Sequence, residues 1–243
     1  MKNTLKYTPL ALFIASVLTA PLTFANGKVV ATGVKNALSE STVKLNFRAR
    51  YEGVDQDGID DNASALTLRS RITANTGSFQ GFSAGVEVDN VTDIIDNYNS
   101  TRNGETRYPV VADPKGTDVN QFFLKYKGDN ITAIAGRQRI LHDNQRFVGG
   151  VGWRQNEQTY DGYRVQLKAN HTFSTDYSYV YNINRIFGPR GDRADLHGQF
   201  HLLTSAFAIN KDHKIKAYAY LLDFDTAAGI STDTYGISYS GKL

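Results

Sequence analysis

Residues 43–52, VKLNFRARYE, alternate with a period of two. Val43, Leu45, Phe47, Ala49 and Tyr51 fall on one side, Lys44, Asn46, Arg48, Arg50 and Glu52 on the other. Side chains of a strand point alternately to its two faces, so this stretch carries one apolar and one basic face. The pattern returns downstream. Leu66, Leu68, Ile72 and Ala74 alternate with Thr67, Arg69, Arg71, Thr73 and Asn75, and Phe82, Ala84, Val86 and Val88 with Ser83, Glu87 and Asp89. Shorter runs lie at Gln121–Lys127, Ile131–Arg139, Tyr160–Lys168, Asp176–Asn184, His201–Ala208, Lys214–Asp223 and Thr234–Ser240. About ten strands are predicted, and no segment of comparable length has a helical period.

The connections decide what kind of sheet this is. The predicted links at 53–63, 90–120, 140–159 and 185–200 are long, and that at 224–233 is moderate. Those at 76–81, 128–130, 169–175 and 210–213 are short. Long and short links alternate, which gathers every long loop at one end. A soluble sandwich or lipocalin-like barrel, the alternative fold, would turn Arg and Lys into its interior, and a soluble β-sandwich has no reason to gather its long loops so. A transmembrane β-barrel does, with short periplasmic turns, long outer loops and strands alternating apolar-out and polar-in. Tyr51, Tyr126, Tyr163, Tyr181, Tyr235 and Tyr239 lie near strand ends, where interfacial girdles belong.

Composition narrows the function classes. The 27 Lys plus Arg and 24 Asp plus Glu give a net charge of +3, too small by itself to make the chain a nucleic-acid binder. The absence of cysteine removes thiolate metal sites, disulfides and cysteine nucleophiles together. At the N-terminus, Lys2 and Lys6 precede an apolar run, Leu10–Ala20, that is too short to span a bilayer. Thr23-Phe24-Ala25 follows with a cleavage-site pattern, so residues 1–25 read as a secretory signal peptide. Residues 26–41 read as a lead-in, and 42–243 as an outer-membrane β-barrel, all-β and antiparallel.

If the apolar side chains face lipid, the lumen receives Lys44, Arg48, Arg50, Arg69, Arg71, Lys125, Arg164 and Lys168. Ile131, Ala133 and Ala135 share a face with Arg137 and Arg139, and this face is placed inward because charge in lipid costs several kcal/mol near the midplane. The inward acids expected are few: Glu52, Glu87 and Asp89. Rings of Arg and Lys favour anions by replacing their hydration shell, and Arg grips carboxylates bidentately. The alternative role for these arginines is bracing of the wall by ion pairs.

Other motifs carry little chemistry. Asp55-Gln56-Asp57-Gly58-Ile59-Asp60-Asp61-Asn62 resembles part of a calcium loop but lacks the closing bidentate Glu, and reads as a solvated acidic loop. His142-Asp143 could be imagined as a hydrolytic pair, yet adjacent residues on an extended chain point apart. No phosphate-binding or nucleophile-elbow motif is present. No catalytic residue, cofactor or metal site is expected, and the chain reads as a non-enzyme.

Four stretches are similar to bacterial outer-membrane proteins of the alginate-export porin family. They are FRARYEGVDQDGIDDNASALTLRSRI (47–72), NSTRNGETRYPVVADP (99–114), AGRQRILHDNQRFVGGVGWRQNEQTYDG (135–162) and YVYNINRIFGP (179–189). The resemblance implies a monomeric, passive porin whose arginine-lined lumen passes an anionic polysaccharide or small carboxylates. It gives a pore role to Arg69, Arg71, Arg137 and Arg139, with Arg146 and Arg154 as loop candidates. Outer-membrane lipid and lipopolysaccharide are the expected surroundings. Family members are larger barrels and this sequence ends at a turn-like Ser240-Gly241-Lys242-Leu243, so a part of a longer barrel is expected, with a complete ten-stranded barrel as the alternative. A plugged structural or adhesive barrel is the second functional reading, and an outer-membrane hydrolase the third.

Overall fold

A computed structural model describes residues 27–191 and 193–242. The signal peptide read from residues 1–25 lies outside the described residues. Helix α1 (Gly27–Ser39) occupies the lead-in and is tied to the sheet where Gly77 N–H donates to Ala37 O at 2.8 Å.

Ten strands follow: β1 (Thr42–Val54), β2 (Ala63–Asn75), β3 (Phe82–Asn97), β4 (Gly116–Lys127), β5 (Ile131–Gln138), β6 (Thr159–Lys168), β7 (Phe173–Asn184), β8 (Asp195–Ala208), β9 (His213–Phe224) and β10 (Thr232–Gly241). Each pairs antiparallel with the next, and they form one sheet in sequence order. Among the described residues β1 and β10 do not pair, so the sheet has two edges. The links at 55–62, 98–115, 139–158, 185–194 and 225–231 alternate with shorter ones at 76–81, 128–130, 169–172 and 209–212. Every long link therefore leaves the same end.

The second long link, between β3 and β4, is shorter than the sequence implies. β3 continues to Asn97 through Asn90, Asp93 and Asp96, which read as loop because Asn and Asp are depleted in strands. β2 supplies a continuous partner there, pairing Thr67 with Asp93 and Ala65 with Asp96 across a bulge at Ile94, and this pairing overrides propensity.

Period two gives the sheet two unlike faces. Leu45, Phe47, Ile72, Phe122, Leu124, Tyr163, Tyr235 and Ile237 stand exposed on one of them. That is the arrangement hydrocarbon requires, with Tyr51, Tyr163, Tyr181, Tyr235 and Tyr239 exposed as well. The loops fold onto the other, inner face. There Ile140 and Val148 of the 139–158 loop pack with Tyr160, Val180, Phe200, Leu202, Tyr220 and Phe224. The inner face of β6–β9 is thus apolar at the loop end, which the expectation of a polar lumen does not include. The inner face of β1–β4 is ionic.

Candidate functional site

The ionic half of the inner face begins with a register. β1 and β2 set Arg48 directly opposite Arg69, and Asn46 opposite Arg71; β3 then brings Asp89 opposite Arg71 and Glu87 opposite Thr73. Like charges directly opposed on neighbouring strands repel, so this face needs anionic groups from elsewhere. The 139–158 loop delivers Glu157. Its carboxylate lies 3.0 Å from Arg71 Nη1 and 3.6 Å from Arg69 Nη1, and pairs with Arg139 Nε. Arg71 also holds Asp89 bidentately, with Nε and Nη2 each at 2.6 Å. Arg139 pairs with Glu87, whose remaining capacity accepts from Thr73 Oγ1 and Asn120 Nδ2, both at 2.7 Å.

The loop at 98–115 adds a second acid. Asp113 is buried and pairs with Arg50, and its other oxygen accepts from Gln155 N–H at 2.8 Å. Tyr98, fully buried, directs its one O–H at Asp93, 2.7 Å away, with Asp113 O at 3.0 Å sharing the same proton as the longer acceptor. Burial and the neighbouring Asp93 hold its phenol well above the usual tyrosine range, so it remains a donor. Arg154 of the second loop reaches Glu52 at 3.1 Å, and the Trp153 ring lies 4.0 Å from its guanidinium and 4.7 Å from that of Arg50.

Gln155 fastens the two loops to the sheet. Completely buried, it donates from Nε2 to Thr67 Oγ1 at 2.8 Å and accepts from Arg48 Nε at 3.0 Å. The rest of the Arg48 guanidinium is capped by the carbonyls of Gly152 and Arg154. A Gln155→Leu variant keeps the volume and orphans Thr67 Oγ1 and Arg48 Nε. Loop docking is expected to weaken by about 2 kcal/mol, the cost of leaving buried partners unpaired. Tryptic cleavage after Arg154 in the folded protein measures it, because that side chain is covered only while the loop is docked.

Among these residues six arginines (Arg48, Arg50, Arg69, Arg71, Arg139, Arg154) meet five carboxylates (Glu52, Glu87, Asp89, Asp113, Glu157), while the sixth acid, Asp93, pairs with Lys115 at 3.3 Å, which leaves one positive charge in surplus. The expected scarcity of inward acids does not hold. Asp113 and Glu157 come from loops, whose path a strand pattern does not contain. Asp176 is also inner, and Arg164 holds it with Nη2 at 2.5 Å. The register sets it opposite Gln166 and one position from Tyr177, which faces the other way; it is an inward acid not among those expected from the sequence.

One candidate changes face. Arg137 lies in register with Phe122, which is 67% exposed on the outer face, and with Asp161 on the other side. Its neighbours Ala133 and Ala135 are outer too, while Ile134 and Gln138 are inner. The charge is tolerated there because it is paired: Nε and Nη2 meet Asp161 at 2.7 and 3.1 Å, and Asn182 and Asn184 donate to the same carboxylate at 2.9 and 3.0 Å. The other strand candidates, Arg48, Arg50, Arg69, Arg71, Lys125 and Arg164, are inner by register, and Arg139 enters the inner network just beyond β5. Of the loop candidates, Arg154 joins the ionic network, whereas Arg146 is exposed beside Phe147.

His142 and Asp143 point apart. His142 Nδ1 is 3.2 Å from the Tyr220 hydroxyl in the apolar half, and burial lowers its pKa; Asp143 pairs with Lys216. Among the described residues no three His, Asp or Glu side chains gather as a metal site.

A ten-stranded meander with a lipid-compatible outer face, loops folded onto a charged inner face and all long links at one end defines a segment of an outer-membrane β-barrel. The family model for alginate export matches residues 40–240, and the chain belongs to that family. Solved structures of outer-membrane porins share the fold. Acinetobacter baumannii OccAB3 is similar with TM-score 0.63 and 14% identity, over 84% of this chain and 54% of that one. OccAB2 of the same organism gives 0.62 and 18%, over 78% and 50%. Pseudomonas aeruginosa OccD3 (OpdP) gives 0.58 and 12%, over 86% and 45%. The chain thus spans about half the length of the barrels it matches. A comparison with curated protein sequences returned no match.

Proposed function

We propose that this chain forms part of the wall of an outer-membrane channel giving passive passage to anionic solutes, either an alginate-like polyuronate or small carboxylates, with no catalytic role. The observation that carries this reading is the division of the sheet: an apolar outer face suited to lipid, and an inner face whose charges sum to a positive surplus. Membership of the alginate-export family supports the solute class, and the signal-peptide pattern at residues 1–25 supports export. The protein acts as a monomer in contact with outer-membrane lipid and lipopolysaccharide.

A plugged structural or adhesive barrel is the second reading, and one observation favours it. The 139–158 loop lies against the inner face with Gln155 fully buried and Ile140 in the apolar cluster, so it narrows any lumen the complete wall encloses.

Liposome swelling separates the two. Proteoliposomes of the purified protein are expected to swell faster in potassium gluconate than in a neutral sugar of similar size, with valinomycin supplying the potassium pathway. Swelling no faster than in protein-free liposomes would favour the plugged barrel.

A further inference from the structure

The arginines at the loop end hold most of their charge in ion pairs, but the lysines at the other end do not. Lys44, Lys125, Lys168 and Lys214 all lie toward the short-turn ends of their strands on the inner face. Their cross-strand partners are uncharged: Thr73 opposite Lys44, Ser83 and Ile134 opposite Lys125, Ser174 opposite Lys168, Ala208 and Ser240 opposite Lys214. Among the described residues none of the four is ion-paired, in contrast to Lys216, which pairs with Asp143. The acid of the same inner face nearest this end, Asp176, is already held by Arg164. Lys168 and Lys214 also line a cleft of about 250 Å³ with His171, Thr172 and Ser174.

We propose that these four lysines form the anion-collecting mouth of the channel and set its charge selectivity, while the arginines chiefly brace the wall and its loops. This rests on the channel reading above. Short turns of outer-membrane barrels face the periplasm, so the mouth opens on that side. An unpaired ammonium retains its full field for a passing carboxylate. An arginine already bidentate to Asp89 offers a second carboxylate little, because its fork is occupied. The lysines are spread over β1, β4, β6 and β9. Strands lie about 4.8 Å apart and rise about 3.3 Å per residue. The register offsets successive members by two to four residues along their strands, so neighbours stand roughly 16–20 Å apart. That spacing suits a solute with several carboxylates better than a monocarboxylate.

The test is the reversal potential of the purified protein in planar bilayers across a KCl gradient, with and without Lys44→Gln, Lys125→Gln, Lys168→Gln and Lys214→Gln combined. The chloride-to-potassium permeability ratio is expected to fall about threefold at low salt, and less at 1 M, where the Debye length shrinks to about 3 Å. Block of the current by citrate is expected to weaken in parallel. An unchanged ratio in an assembled variant overturns the lysine proposal and leaves the channel reading standing; a wild-type protein that does not conduct overturns the channel reading itself. Should the combined variant fail to assemble, Lys168→Cys decides, since the chain has no other cysteine. Attaching a cationic methanethiosulfonate is expected to restore the ratio and an anionic one to lower it further. Equal ratios after both reagents overturn the proposal.

Discussion

Replacing Glu157 by Gln is expected to release the 139–158 loop from the sheet and raise the conductance of the protein. One carboxylate faces Arg69, Arg71 and Arg139, each on or next to a strand, and its removal leaves three guanidiniums without their shared counter-charge. Breaking a buried ion pair from one side costs about 3 kcal/mol, enough to change the population of a docked loop by two orders of magnitude. Tryptic cleavage after Arg154 and single-channel conductance should rise together. Wild-type values of both would show that Gln155 and the apolar contacts of Ile140 and Val148 suffice to hold the loop. The same carboxylate sets a pH dependence. Burial raises its pKa, but hydrogen bonds and charge from Arg139 and Arg71 outweigh burial, and the net shift is downward. A depressed folded-state pKa contributes stability above the unfolded value, about 4.3 for Glu, and loses it as pH falls through the folded one. The loop should therefore stay docked at pH 5 and loosen only once the pH has fallen below the ordinary Glu value of about 4.3. Fluorescence of Trp153, the one tryptophan of the chain, stacked on Arg154, reports the change.

Gly136→Ala is expected to abolish assembly altogether. Gly136 has φ +114°, a conformation that side-chain-bearing residues rarely adopt, and a Cβ built there would land on the Phe122 carbonyl oxygen of β4. Backbone strain of this kind costs about 1–3 kcal/mol before the clash is counted, and the clash falls on a strand-to-strand contact that cannot move alone. β5 is the shortest strand and pairs β4 with β6, so separation there divides the sheet. Heat-modifiable migration of outer-membrane fractions measures assembly. A variant that migrates as the wild type does would mean that β4 and β5 can part without loss of the wall.

Strand number, order and faces were legible in the sequence because period two is a local signal and lipid enforces it. Leu45 and Phe47 on one side and Arg48 and Arg50 on the other are sufficient to orient β1. Arg137 misled because a charge beside Ala133 and Ala135 was assumed to avoid the outer face. Its pairing with Asp161, which lies 24 residues away and is backed by Asn182 and Asn184, removes that reason and appears only once β5, β6 and β7 are aligned. The ionic site was half legible. Its arginines stand on strands, where alternation places them, but Asp113, Gln155 and Glu157 stand on loops whose course is set by contacts with the finished sheet. Asp93 and Asp96 were hidden for a related reason, as strand propensity undervalues acids that a neighbouring strand pairs.

As proposed, this wall encloses a path for anions. Single-channel recording of the purified protein at low salt, across a KCl gradient, tests it most directly. The expected result is a reversal potential displaced toward the chloride equilibrium potential, with the displacement shrinking as salt rises and screening shortens. A reversal potential on the potassium side, or a bilayer that stays silent under protein known to be inserted, would contradict it.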